Sequence, residues 1–422
     1  MPHAETPRPG PWVVFPGLLT GEALVYVEVP ESEEENVMGM MSNTVSVYQY
    51  LVVGECKGDA WVQECLQKNQ FVPIDTTPDQ ESTGWVSFDD HTSADFDNEN
   101  VFKRQPYYLF TLRRDQRKVP SALLKNLLAK ECSRWLSERA DLNRVPFKRK
   151  AEMRETLHAA LITKTLPVPS TYDVVWNTDT STLLVTSISE RVLDFVEDAF
   201  AQAFEGLSLE PVHPMSRAYR VVKDDQQPAL TRCDQAPSKD VLLQIKRNRW
   251  VGWDFLLWLM YQTSNGSSVY TVNQQGPMEQ GESFLGYLQD RFVLKAEHEE
   301  GVRKSSITGP QRDFAEARSS VRDGKNIIEA VIHLEKDSRS WKMALKGDIF
   351  AFGSYACPPV QLEKDELTDP FQERIAAFYE RMSLVETGFQ LFDSIFRDFL
   401  SERITDAWPA RFREITDWLN KP

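Results

Sequence analysis

The sequence YYLFTLRRDQRKVPSALLKNLLAKECSRWL (residues 107–136) contains two patterns that meet at Pro120. Before Pro120, the apolar run Tyr107–Leu112 predicts a β-strand that ends in a group of cations. After Pro120, leucines at positions 123, 124, 127 and 128 recur at helical spacing. Proline is favourable in a first helical turn because its missing N–H would be unpaired there. The stretch therefore predicts a strand that leads directly into a helix.

Further along the chain, a second helix is predicted to start after Pro146 and to run to about Leu166, where Pro167 and Pro169 end it. Strands at 172–176 and 182–187 and a helix at 189–204 follow. This order is typical of an α+β fold, and we expect mixed sheets with long helices. The two helices, within about residues 113–166, are predicted to form a basic helical hairpin that projects from the body.

Composition divides the chain into four parts. Residues 1–40 carry six prolines and an acidic run, which predicts a poorly ordered N-terminal extension. An N-terminal α+β region is expected at 41–205 and a connector rich in Pro, Asp and Gln at 206–240. A C-terminal α+β region is expected at 241–422, opening with a strand at Val241–Ile245.

The C-terminal region ends in a long helix predicted from about Pro370 to Ile404. Apolar residues, many of them Phe, recur along it every three or four positions and form one wide stripe. Two interpretations stay open: the stripe packs inside the subunit, or it forms a dimer interface or binds another partner.

Charge is distributed unevenly along the sequence. The chain has a net charge of −15, yet residues 103–164 contain 16 Lys and Arg against 6 Asp and Glu. This segment therefore carries +10, and the rest of the chain carries −25. A positive patch on an acidic body can bind a polyanion at one face and repel it elsewhere.

Several chemistries are disfavoured by the sequence. It contains no G-x-x-x-x-G-K-[ST], G-x-G-x-x-G or G-x-S-x-G motif, and its six histidines have no metal-ligand spacing. Five cysteines without a C-x-x-C pair fit a reducing compartment. The apolar run Trp250–Tyr261 is too short to span a bilayer, and the N-terminus lacks the features of a secretory signal. The sequence therefore favours a cytoplasmic, non-enzymatic protein without cofactor, metal or membrane contact.

One acidic loop offers an alternative. Its carboxylates can be read as Mg²⁺ ligands of a nuclease or as a solvated loop. They are Asp89, Asp90, Asp95, Asp97 and Glu99. Because they match no nuclease spacing and no lysine stands among them, the solvated loop is favoured.

The basic segment contains two groups of cations, one before each helix. The strand-end cluster consists of Arg113, Arg114, Arg117 and Lys118. The helix-start cluster consists of Lys148, Arg149 and Lys150. Cations at a helix N-terminus are unfavourable by roughly 0.3–1 kcal/mol each, unless an external anion binds there. The pattern predicts phosphate contacts without sequence preference, and a solvated charged face is the alternative.

From Met41 onward, the sequence resembles the RdgC family. The resemblance lies in blocks that follow one another in the family's order. They are MSNTVSVYQYLVVGE (41–55), FVPIDTTPDQESTGWVS (71–87), RRDQRKVPSALLKNLL (113–128), FKRKAEMRETL (147–157), LPVPSTYDVVWN (166–177) and WDFLLWLMY (253–261). Together they extend the resemblance over about residues 41–422.

The resemblance implies a DNA-binding protein of the bacterial cytoplasm and nucleoid. Members form a ring-shaped homodimer that encircles double-stranded DNA with little sequence preference and restrains RecA-promoted strand exchange. Members have also been described as exonucleases. In this chain, the acidic loop would have to supply the metal ligands for that activity. DNA contact is carried over to the basic positions that match, which are Arg113, Arg114, Arg117, Lys118, Lys148, Arg149, Lys150 and Arg154.

Overall fold

The described part of the chain begins at Gly39, slightly before the predicted boundary at residue 41. The computed structural model describes residues 39–139, 142–236, 240–298, 301–309, 313–361 and 369–421, so most of the predicted extension lies outside it. Residues Gly39–Met41 form a short 3-10 helix, and Met40 is buried. The Met40 N–H donates to Asp173 Oδ2 at 2.8 Å, and its carbonyl accepts from Arg381 Nε at 2.8 Å. Residues 39 and 40 therefore belong to the folded body.

Alternating and apolar segments form thirteen strands in the described part of the chain. In chain order, β1 to β13 are Thr44–Val53, Glu81–Val86, Lys103–Arg104, Tyr107–Arg117, Pro167–Asn177, Thr182–Val185, Ser208–Pro211, Val269–Thr271, Ser283–His298, Gly301–Thr308, Asn326–Lys336, Arg339–Lys346 and Ala351–Ala356.

The helices of the described residues cover the sheet and connect its strands. In chain order, α1 to α11 are Asp59–Lys68, Ser121–Ser137, Phe147–Ile162, Glu190–Ala203, Pro214–Val221, Gln227–Cys233, Val241–Arg247, Trp250–Asn265, Ala315–Arg322, Pro370–Arg403 and Trp408–Asn420.

One sheet runs through both halves of the chain in the order β10-β9-β11-β12-β13-β1-β6-β5-β4-β2. The short strands β3, β7 and β8 pair with β4, β1 and β9. The α+β class is confirmed. The expectation of mixed sheets is wrong for the named strands, whose ladders are all antiparallel. Short connections between strands that follow one another favour this arrangement.

Strand β1 links the two hydrophobic cores because successive side chains of a strand point to opposite faces. Its odd-numbered Val45 and Val47 join the larger core, which includes α8, α10 and the C-terminal strands. Its even-numbered Tyr48, Tyr50 and Val52 join a smaller core with α1 and α4. The N-terminal and C-terminal regions therefore share this central strand.

Two segments differ from their predicted structure. The expected strand at Val241–Ile245 is helix α7, because the Asp240 carboxylate accepts from the Leu243 N–H and caps a helix there. The expected connector 206–240 contains β7, α5 and α6. Helix α5 starts at Pro214 and buries Met215, Ala218 and Val221, a spacing that the polar composition of the segment conceals.

The Phe-rich stripe packs inside the chain, as the first of its two interpretations predicted. Helix α10 begins at Pro370, where the Asp369 carboxylate accepts from the Phe371 N–H. Its side chains Phe378, Phe389 and Phe399 are almost completely buried in the larger core. From Phe378 onward the stripe is therefore buried within the described chain, whereas Phe371 and Ile375 in the first turns are only partly buried. Among the described residues, no helix combines the length and hydropathy that a bilayer span requires.

Candidate nucleic-acid interface

Strand β4 positions the strand-end cluster. It pairs with β2 on one side and β5 on the other, so its last residues lie among neighbouring backbone segments. The carboxylate of Asp115, between the arginines, is buried at 1% exposure. Cations here are surrounded by groups that need hydrogen-bond donors.

Arg117 is used internally. Its side chain is buried, and its guanidinium donates to five backbone carbonyls. Nε donates to Asp79 O at 3.0 Å and Nη2 to Ile74 O at 2.7 Å. Nη2 also donates to Asp75 O and Thr77 O, and Nη1 donates to Thr165 O. Arg117 therefore ties the loop at 74–79 and the end of the helix pair to the sheet, and it offers little to a phosphate.

Arg113 and Arg114 are also engaged. Arg113 forms a two-pronged ion pair with Asp115, 2.8 Å for each N–O pair, and its Nη1 donates to His91 O at 2.9 Å. The buried Asp115 carboxylate raises the pKa of Arg113. Arg114 Nε lies 2.5 Å from Glu81 Oε1, and this contact lowers the pKa of Glu81. In the strand-end cluster, only Lys118 is exposed without a hydrogen bond or ion pair to a described residue.

The helix-start cluster has different surroundings. Lys148, Lys150 and the nearby Arg154 are exposed, and none has a side-chain hydrogen bond or ion pair to a described residue. Arg149 Nη1 lies 3.0 Å from Glu152 Oε2, and both side chains are about half exposed. Such a pair contributes only roughly 0.3–0.5 kcal/mol, so a stronger anion can displace it.

The first turn of α3 adds backbone donors to these cations. The helix begins after Pro146, has no side-chain cap and contains no acidic residue in its first turn. Its free N–H groups therefore carry partial positive charge next to Lys148 and Lys150. The arrangement suits a phosphate oxygen, which accepts from both kinds of donor.

The structure separates the two clusters instead of bringing them together. Helix α3 has 16 residues and, at about 1.5 Å per residue, spans roughly 24 Å. The helix-start cluster lies at its beginning, whereas Thr165, just beyond its end, is bonded to Arg117. The clusters thus mark opposite ends of α3.

Helices α2 and α3 pack against each other but bury few side chains. Only Leu124 on α2 and Met153 and Ile162 on α3 are buried among their described residues. Phe147, directly before Lys148, is 90% exposed. The pair therefore presents most of its surface to solvent or to a partner.

Four further cations of this segment were not among the predicted site residues. All four are exposed and have no side-chain hydrogen bond or ion pair to a described residue. They are Lys125, Lys130, Arg144 and Lys164. A local signal identifies two of them: Lys125 and Lys130 have no acidic residue three or four positions away. Arg134, by contrast, pairs with Glu131 at 3.2 Å.

The acidic loop does not gather its carboxylates. Asp89 pairs with Arg104, and Asp90 accepts from the Thr92 N–H and hydroxyl. Asp95 accepts from the Asp97 N–H, and Asp97 accepts from Gln67. Across the residues that the structure describes, no three His, Cys, Asp or Glu side chains are grouped to hold a metal ion.

A network near the strand-end cluster was not predicted. Asp173 is buried and accepts from Thr111 Oγ1 at 2.8 Å, in addition to the Met40 N–H. His91 Nε2 lies 3.4 Å from the same carboxylate, which raises the pKa of His91. Because His91 also accepts from Arg113 through its carbonyl, this network connects the start of the described chain to β4.

Comparison with known proteins supports the family resemblance for part of the chain. Residues 43–223 match the family model described as "RdgC: Putative exonuclease, RdgC". No curated protein matches the chain. The matched segment contains β1 to β7, the helix pair and all eight predicted contact residues, while the resemblance beyond 223 stays a prediction. Over residues 43–223, the chain is therefore similar to the RdgC family.

Proposed function

We propose that this protein binds double-stranded DNA without sequence preference and thereby modulates homologous recombination. The observation that carries the proposal is the exposed, largely unpaired set of cations on α2 and α3, centred on the helix-start cluster. Phosphate contacts supply most of the affinity in sequence-independent DNA binding. The acidic remainder of the chain would repel DNA and so favour this surface.

The roughly 24 Å length of α3 supports contact along a duplex. At 3.4 Å per base pair, this length corresponds to roughly 7 base pairs. Lys148 and Lys150 at one end of α3 and Lys118 near the other can then meet phosphates of the same duplex. Arg113, Arg114 and Arg117 position this surface and do not touch DNA directly.

The family resemblance extends the proposal. Two copies form a homodimer in which the basic helix pairs project as hairpins and line a ring around the duplex. A protein that encircles DNA in the cytoplasmic nucleoid limits strand exchange by a RecA-type recombinase, because it occupies the duplex that the recombinase filament must open.

Charge reversal tests the contact surface. We expect Lys148→Glu/Arg149→Glu/Lys150→Glu to lower duplex affinity roughly 100-fold or more at about 0.1 M salt. A matched control, Arg322→Glu/Arg339→Glu/Arg413→Glu, changes three exposed cations elsewhere by the same charge. It should keep most of the affinity, and both variants should unfold at the wild-type temperature. Wild-type affinity in the first variant, or equal losses in both, would contradict the proposal.

A metal-dependent exonuclease is the second candidate, because the matching family model is described as a putative exonuclease. The metal ligands of such an enzyme would have to come from the acidic loop around Asp95 and Asp97. Incubation of end-labelled linear duplex with Mg²⁺ or Mn²⁺ separates the candidates. Degradation that disappears in Asp95→Ala/Asp97→Ala would establish the exonuclease, and intact DNA in both proteins supports the binding protein.

A further inference from the structure

A second group of cations lies outside the helix pair, at the joint between α7 and α8. The sequence there is KRNRWVGW (246–253), which places three cations within four positions and then two tryptophans three positions apart. Residues three apart on a helix lie on the same face, so Trp250 and Trp253 are neighbours on α8. This combination of cations and indoles is not part of the surface proposed above.

The joint is a fixed structure. Asn248 is buried at 1% exposure between the two helices. Its Nδ2 donates to Asp234 Oδ1 at 2.8 Å, and its Oδ1 accepts from the Gln235 N–H at 3.0 Å and from Trp250 Nε1 at 3.3 Å. The Arg403 guanidinium lies 4.2 Å from the centre of the Trp250 ring and fixes its orientation. The backbone at the joint and the orientation of Trp250 are therefore set before any ligand arrives.

The charges of this surface do not cancel. Glu297 already pairs with Arg249 at 3.1 Å and with Lys295 at 2.7 Å, and Asp348 accepts from Trp253 Nε1. Lys246 and Arg247 are exposed, and neither side chain has a hydrogen bond or ion pair to a described residue. Cations in the last turn of α7 stabilise that helix, but this does not account for Arg249 and the two indoles at the start of α8.

The cations and indoles share one groove. It has a volume of about 460 Å³, and Lys246, Arg247, Arg249, Trp250 and Trp253 all line it. A groove of this size admits a nucleotide. Unpaired bases stack favourably on aromatic side chains, whereas the base faces of a duplex are already covered by their neighbours.

We propose that this groove binds an unpaired nucleic-acid strand, with phosphates on Lys246 and Arg247 and a base against Trp250 or Trp253. The site goes beyond the proposed duplex contact and does not depend on it. It would let the protein hold duplex and single-stranded DNA on separate surfaces. Both kinds of DNA are present where strands are exchanged.

Photo-cross-linking tests this assignment. The probe is oligodeoxythymidylate of about 12 nucleotides with one 5-iododeoxyuridine, and adducts are mapped by mass spectrometry. We expect adducts on the peptide that contains Trp250 and Trp253. Lys246→Glu/Arg247→Glu should weaken probe binding about tenfold, and the milder Lys246→Gln/Arg247→Gln should weaken it less. The control Arg339→Glu/Arg413→Glu should bind the probe normally.

Duplex binding distinguishes this site from the helix pair. Lys148→Glu/Arg149→Glu/Lys150→Glu should keep the adduct at 246–253, and Lys246→Glu/Arg247→Glu should keep duplex affinity. The inference is overturned by adducts that map elsewhere or by unchanged probe affinity in Lys246→Gln/Arg247→Gln. It is also overturned if polyglutamate binds the groove and the oligonucleotide does not, since the surface would then serve an acidic peptide.

Discussion

The strand-end and helix-start clusters have similar compositions, but the fold uses them differently. Arg113, Arg114 and Arg117 lie at the end of a sheet strand, where carbonyls and carboxylates need donors, and their guanidinium groups are engaged. Lys148 and Lys150 lie at the start of α3, where few residues surround them. A cation that the fold already uses contributes to stability, whereas one without partners is available to a ligand.

Among the substitutions that test this difference between the clusters, replacement of Arg117 should have the largest effect, and the effect is on stability. Arg117→Ala leaves five backbone carbonyls without their donor, and we expect the free energy of unfolding to fall by about 3 kcal/mol. Arg117→Lys should recover little, because an ammonium cannot reproduce the planar fork. Urea denaturation measures both.

Arg114→Gln is the matched control, since Arg114 and Glu81 are partly exposed and the pair contributes roughly 1 kcal/mol or less. Equal stability losses for Arg117→Ala and Arg114→Gln would remove the structural role that we assign to Arg117.

The salt dependence of duplex binding is the next test. Each phosphate contact contributes roughly −0.9 to the slope of log affinity against log salt. Lys148→Gln/Lys150→Gln should therefore make the slope shallower by roughly 2. Arg114→Gln should leave the slope almost unchanged, because Arg114 is paired with Glu81. A larger change in slope for Arg114→Gln than for Lys148→Gln/Lys150→Gln would contradict the roles that we assign to the two clusters.

The smallest effect concerns pH. Asp173 raises the pKa of His91, so the attraction between them is complete below the ordinary pKa of histidine. It is lost as pH rises through the raised pKa of the folded state. Unfolding temperatures of wild type and His91→Gln should differ most near about pH 5 and converge toward about pH 8. A difference that grows with pH would show that this ion pair does not stabilise the fold.

Local patterns predicted much of the fold. Proline positions and apolar spacing identified α2, α3 and α10, and an apolar run identified β4. The short apolar run at Val241–Ile245 fits a strand or a helix, and only the cap by Asp240 distinguishes them. The role of Arg117 could not be predicted, because its partners, from Ile74 to Thr165, lie about 40 or more positions away and meet it only in the folded chain.

Lysine labelling tests the central claim most directly, since it needs no substitution. Amine-reactive acetylation with and without duplex DNA, read by mass spectrometry, reports which lysines DNA covers. We predict strong protection of Lys148 and Lys150, with no protection of the exposed Lys68 on α1. Unchanged labelling of Lys148 and Lys150 while the protein is saturated with DNA would contradict the account.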